Sequence, residues 1–247
     1  MRLLSVVRSE WIKARSIPSV LVSAVLMFLI TAGFSAVGSA TLGQERATQA
    51  DFDPLLMSFY GVNFGQLAAI CIGALVASAQ YKHNGVRVWL TAVPRRGLLY
   101  TAQLIVVFFG TFLAGLLTTI ACVAACAPIL GERGVSFGDA TAYRAIIGGA
   151  LYLAIMAVFA AGVTMLLRSG FAALAILTPI VLLLSFVLGD VSQGSGVVGF
   201  LPDRAGRQVL VADPSGSLGP WAGLAVTAAW AAVATLAGWL MFRRRDA

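Results

Sequence analysis

Six stretches of the chain run without a charged side chain for long enough to cross a hydrocarbon core of roughly 30 Å at about 1.5 Å per helical residue. They are residues 17–38, 62–79, 98–128, 145–167, 171–189 and 221–242. Each is rich in Leu, Ala and Val and shows no strict alternation, so the pattern predicts helices and excludes a β-barrel, whose strands of about ten residues alternate. Ahead of the first run, Met1 to Ser16 has helical periodicity of its own. Leu3, Leu4, Val7, Trp11 and Ala14 share one face, Arg2, Ser5, Ser9 and Lys13 lie opposite, and Arg8 and Arg15 flank the stripe. That pattern predicts a helix in the membrane interface, with Trp11 at headgroup depth and arginines able to snorkel. Pro18 separates it from the first span. The expected fold is an all-α membrane protein of six transmembrane helices preceded by an interfacial helix.

Composition agrees. Of the 247 residues, 60% are hydrophobic and 11% charged, whereas a soluble domain carries about a quarter charged residues. Charge then sets orientation. With the N-terminus in the cytoplasm, that side holds Arg2, Arg8, Lys13, Arg15, Lys82, Arg87, Arg95, Arg96, Arg168, Arg243, Arg244 and Arg245, against Arg46, Arg133, Arg144, Arg204 and Arg207 outside. This positive-inside bias predicts a multi-pass protein of the cell membrane with both termini cytoplasmic. The net charge of +7 follows from this topology and gives no sign of nucleic-acid binding. A cleaved signal peptide, cut after Gly38-Ser39-Ala40, fits less well: the apolar core is too long, and removal would spoil the charge alternation. Cys71, Cys122 and Cys126 all fall inside spans, where small inert thiols are expected rather than a disulfide or a metal site.

Between the second and third spans, residues 80–97 form the best-charged connector. Gly85 to Val93 can form a short helix ended by Pro94. Val86, Leu90 and Val93 then make an apolar stripe with Trp89 beside it, among Lys82, Arg87, Arg95 and Arg96. A polar loop has no need of such a stripe unless something docks on it; the alternative is a solvated loop whose arginines only set topology. Asn63 and Gln66 are amides inside the second span, suited either to substrate contact or to bonds between helices. Gly61 and Gly65 make a GxxxG step there. Arg168 to Gly170 is a tight hairpin between the fourth and fifth spans, and Thr178 and Pro179 interrupt the fifth. The segment 190–220 is the longest outer loop, with apolar islands at Val197–Leu201 and Val209–Val211 that predict short helices dipping back to the membrane surface.

Much chemistry is absent. There is no GxxxxGK[ST] loop, no HExxH and only one histidine, His83, and the spans hold essentially no ionisable residue. The chain cannot bind ATP through a P-loop of its own, lacks the ligands for metal-dependent hydrolysis and has no proton relay for ion-coupled transport. Any energy for transport must come from elsewhere.

Five motifs in order along the chain resemble permease subunits of actinobacterial ATP-binding-cassette transporters, type-2 exporter class. They are Ser9-Glu10-Trp11-Ile12-Lys13-Ala14-Arg15-Ser16, Phe64-Gly65-Gln66-Leu67, and Gly85 to Gly97 with its AVPRRG ending. Leu201-Pro202-Asp203-Arg204-Ala205-Gly206 and the closing Ser217 to Ala247 complete the set. The resemblance implies two permease subunits, identical or different, and two separately encoded ATPase subunits that bind ATP and magnesium, with no cofactor on this chain. It implies that Met1 to Ser16 is the connecting elbow helix and Gly85 to Val93 the coupling helix, with Gly85, Arg87, Trp89, Leu90, Pro94, Arg95 and Arg96 at the ATPase contact. It also implies a translocation path between the two permeases, lined by the second and fifth spans at Asn63, Phe64, Gln66, Leu182 and Phe186. One residue departs from the pattern: many relatives carry a glutamate where Gln80 stands, so a charge pair to a nearby arginine is lost.

The expected activity is therefore the permease half of an exporter for a hydrophobic or amphipathic compound such as a drug, a peptide antibiotic or a lipid. ATPase closure would push the coupling helices and tilt the spans about Pro18 and Pro179. A non-transporting membrane scaffold or immunity-type protein is the alternative. A membrane-embedded lipid-modifying enzyme would need polar or acidic side chains clustered at one face, and the cytoplasmic loops lack them.

Overall fold

The structure is a computed structural model that describes residues 3–43, 45, 52–84, 96–131, 134–187, 199–213 and 218–244, with side chains except those of 82–84, 183–187 and 244. Among the described residues every regular element is helical. In chain order these are α1 (Leu3–Ser16), α2 (Pro18–Gly38), α3 (Pro54–Ser58), α4 (Val62–Ser78), α5 (Arg96–Leu130), α6 (Ala140–Leu167), α7 (Gly170–Val187), α8 (Pro202–Arg207) and α9 (Pro220–Arg244). Five of them, α2, α4, α5, α6 and α9, are long and apolar enough to cross a membrane. The protein thus has the make-up of a multi-pass membrane protein. α7 is a further apolar helix, and it continues through Pro179 rather than stopping there; the carbonyl that this proline leaves without its amide partner can be tolerated in a membrane helix.

Local chemistry explains the boundaries. Ile17 is extended (φ −91°, ψ 106°) and Pro18 occupies the first turn of α2, where its missing N–H costs nothing and its fixed φ suits the helix. Asp53 caps α3, its Oδ1 accepting from the amides of Leu55 (2.9 Å) and Leu56 (3.0 Å). Arg168 ends α6 in the left-handed conformation (φ 55°), turning the chain into α7 within two residues. α5, at 35 residues, is about 52 Å long and exceeds the hydrocarbon thickness at its ends. α6 begins at Ala140, five residues before the uncharged run, because Arg144 stays helical beyond it.

α6 forms the centre of the bundle. Tyr152, Leu153, Met156, Ala157, Ala160 and Ala161 are all fully buried, and α4, α5 and α9 pack around it. Small residues let these helices approach closely, as expected where lipid is as apolar as the side chains and dispersion must hold helices together. A Cβ on Gly73 would overlap the carbonyl of Ala157, one on Gly162 would meet the backbone of Ala234 and Thr235, and one on Gly61 or Gly65 would overlap Thr31 of α2. The GxxxG step of α4 therefore marks its contact with α2. The outer surface is apolar: Leu21, Val25 and Leu29 of α2, Phe109, Leu113 and Leu117 of α5 and Val233, Leu236 and Leu240 of α9 are all exposed. An exterior of this kind suits a bilayer rather than water.

The two ends of the bundle differ. At one end, the near face, the start of α5 meets the end of α9, Arg96 donating to the carbonyl of Phe242 (3.3 Å), and Gly170 abuts Ser78. At the opposite end, the far face, Gly38 lies against Tyr60 and Asp53 Oδ2 accepts from the amide of Ala212 (2.8 Å). Arg144 clamps the same stretch there by donating to the carbonyls of Val211 and Ala212.

α1 lies across the first half of α5, Val6 packing with Leu99 and Ala102, and Trp11 over Gly110. The face turned to the bundle is Val6, Glu10 and Ala14, while Leu3, Leu4, Trp11 and Ile12 are exposed. The amphipathic pattern thus resolves into two faces: one on α5 and one, with most of the expected apolar stripe, left outward.

Candidate functional site

Two regions carry the chain's polar chemistry. At the near face, the helix expected over Gly85–Val93 lies outside the described residues, together with Gly85, Arg87, Trp89, Leu90, Pro94 and Arg95. The mount on either side of that stretch is described. Before it, α4 passes into a tighter turn over Ala79–Asn84 with Gln80 almost completely buried. After it, α5 begins at Arg96, half-buried and bonded to Phe242. One turn on, the Tyr100 hydroxyl donates to the carbonyl of Thr235, and its ring packs on Trp239 (centroids 5.3 Å apart) and Phe242 (6.3 Å). Arg243 stands 5.8 Å from the Trp239 ring centroid, within cation–π range. Gln103 Nε2 reaches from α5 to the carbonyl of Val76 on α4 (2.8 Å). The first two turns of α5 are therefore tied to α4 on one side and to α9 on the other.

Near the far face, α4, α6, α8 and α9 enclose a polar network. Every residue of α8, Pro202 to Arg207, and the following Gln208 to Val211 are buried. Arg207 bonds the Asn63 side-chain oxygen and faces Asp203 at 3.7 Å, while its Nε donates to the Asp203 carbonyl (3.2 Å). Asn63 Nδ2 donates to the carbonyl of Tyr60 (2.8 Å). Gln66 donates to the carbonyl of Asn63 (3.0 Å) and accepts from the Tyr152 hydroxyl of α6. Thr227 of α9 holds the carbonyl of Pro202 (2.9 Å). Gly206 and Gly223 permit this insertion, since a Cβ on the first would strike the Tyr152 ring and one on the second would overlap the carbonyl of Ala205.

No protein-family model matches the chain, and no curated protein matches it.

The path residues expected from sequence fall in different places. Asn63 and Gln66 are brought together, with Gln66 turned fully into the fold. Phe64 is half-buried on the opposite side of α4, its ring 4.4 Å from that of Phe34 and 6.2 Å from that of Tyr60. Leu182 is half-buried on α7, and the Phe186 side chain lies outside the described set. Of the two islands expected to dip to the surface, Val209–Val211 goes inward, in and after a tighter turn, whereas Val197 and Val198 lie outside the described residues and Phe200 is exposed; the helix forms on the charged Pro202–Arg207 between them. Tyr152, Asp203 and Arg207 carry the network, and none was singled out for a site by sequence. The available signals were a lone tyrosine in an uncharged span and an LPDRAGR run with three charges around an Ala-Gly pair. Among the described residues, no cluster of three or more His, Cys, Asp or Glu is placed to hold a metal ion.

Proposed function

We propose that the chain is the transmembrane permease subunit of an ATP-binding-cassette exporter, with residues 85–95 docking on a separate ATPase subunit that supplies ATP and magnesium. The observation that carries this reading is the mount. Arg96, Tyr100 and Gln103 tie the exit of the loop to Phe242, Thr235 and Val76 on two other spans, so displacement of one loop is transmitted to α4, α5 and α9. An idle topological loop needs no such linkage. The five-motif resemblance supports the same reading, as does the absence of a P-loop and of an intramembrane ion relay in the sequence.

In this proposal α7 is the sixth span, and α1 is the elbow. The near face is cytoplasmic, as the excess of arginine and lysine on its connectors supports, and the protein sits in the cell membrane with both termini inside. Two permease copies, or this chain and a related one, enclose the path. The cargo is hydrophobic or amphipathic, a drug, peptide antibiotic or lipid, moving outward. Gln66 and Asn63 act there through the polar network, and Phe64 and Leu182 are the described path residues whose side chains are not enclosed by it.

Affinity purification of the tagged protein in mild detergent tests the proposal. It predicts a stoichiometric P-loop ATPase in the eluate together with ATP hydrolysis. A lone, catalytically silent dimer would instead favour a scaffold or immunity-type protein.

A further inference from the structure

The outward face of α1 has an unusual composition. Glu10, fully buried against α5, pairs with Lys13, so the inward side of this helix closes its own charge. Arg8 and Arg15 lie on the other side, both exposed, and among the described residues neither side chain has an ion-pair or hydrogen-bond partner. Seven residues apart, they project within about 20° of each other and about 10 Å apart along the axis. The same surface carries Leu4, 79% exposed, and Ile12, 59% exposed, with Trp11 between the arginines. Bare Leu and Ile are out of place in water, and unpaired arginines are out of place in hydrocarbon. Their combination fits the boundary between headgroups and acyl chains. Only Ile17 separates α1 from the first span, which holds this face at that depth.

We propose that Arg8 and Arg15, with Leu4, Trp11 and Ile12, form a docking face for anionic phospholipid, the guanidinium groups gripping headgroup phosphates while the apolar side chains enter the acyl boundary. The positive charge of the face, with the Glu10 carboxylate already committed to Lys13, selects anionic over zwitterionic lipid. Each arginine contributes about fivefold in affinity, the effect of about 1 kcal/mol per basic residue near an anionic surface. Val6, Glu10 and Ala14 face the bundle, and this packing sets the rotation of the helix that presents the two arginines outward. This inference rests on the membrane character of the chain and not on transport.

The test is lipid binding to the purified full-length chain in detergent by native mass spectrometry, with no ATPase or nucleotide present. The probes are phosphatidylglycerol, phosphatidylcholine, glycerol 1-phosphate and inorganic phosphate. The wild type is expected to prefer phosphatidylglycerol to phosphatidylcholine and to ignore both soluble phosphates. R8Q and R15Q each should lower phosphatidylglycerol affinity about fivefold, R8K/R15K should retain most of it, and phosphatidylcholine binding should not change. Equal affinity for the two lipids, a preference that survives R8Q and R15Q, or binding of the soluble phosphates in place of lipid would overturn the proposal. So would an Arg8- and Arg15-dependent complex with an acidic protein in the absence of lipid preference. Because both arginines are exposed, the singly substituted chains should fold; α-helical circular dichroism equal to wild type checks this, and a loss of helix in either would itself contradict the placement of that arginine on the outward face.

Discussion

Replacing Arg207 with methionine is expected to destabilise the folded protein by about 3–5 kcal/mol, the range for removing one partner of a buried ion pair. Arg207 is 4% exposed and Asp203 fully buried, so the carboxylate loses a counter-charge in a place where water cannot replace it. Asn63 loses its donor at the same time, which weakens the link from α8 to α4. The consequence should be local before it is global. Val209 presses against Gly148 of α6, so a cysteine at position 209 should be inert to a membrane-impermeant maleimide in the wild-type background. In the R207M background it should react at least about tenfold faster, as the segment 199–213 leaves its slot. The paired replacement D203L/R207M should recover part of the stability, because it removes the Asp203 carboxylate that R207M alone strands, while the buried Arg204 stays in place. Thermal unfolding in detergent reads the first effect and labelling rate the second. An R207M protein with wild-type stability and unchanged labelling would show that the network does not hold α8 in place.

Introducing glutamates at the loop stripe, W89E/L90E, should abolish capture of the ATPase in the purification described above. Buried aromatic and aliphatic anchors each contribute about 2 kcal/mol or more at protein interfaces, so burying two new carboxylates in their place should weaken association by more than about a hundredfold. The isolated membrane chain should keep its wild-type thermal midpoint, because the contacts of Tyr100 with Trp239, Phe242 and Thr235 are made by residues left unchanged. Replacing Arg87 or Arg95 by glutamine should cost far less, since exposed charges at the rim of an interface chiefly affect its rate and salt dependence. Equal ATPase recovery with W89E/L90E and wild type would remove the loop from the contact.

Five of the six expected spans were legible because lipid admits only long uncharged helices, and that constraint is written directly into residues such as 145–167. Helix ends were less so: Arg96 and Arg144 remain helical beyond the uncharged runs, and hydropathy registers charge rather than hydrogen bonding. The polar network was mostly hidden. Asn63 and Arg207 are 144 positions apart, and the charges of Asp203 and Arg207 read as outer-loop residues until α8 is seen inside the bundle. Its helix was foreseeable from end chemistry more than from apolarity, with Pro202 in the first turn, Asp203 beside the N-terminus and Arg207 at the C-terminus. Glu10 was obscured for a different reason. A Glu–Lys pair three residues apart looks like a solvated surface pair, and only the position of α5 reveals that the carboxylate is covered.

The most direct test of the central claim places a photo-crosslinking amino acid at position 89 of the tagged protein in living cells, followed by illumination and mass spectrometry of the adducts. The account predicts one dominant adduct, a P-loop ATPase joined through its nucleotide-binding domain and absent when the crosslinker is moved to exposed Leu113 on α5. Adducts only with lipid or with a second copy of this chain would contradict it.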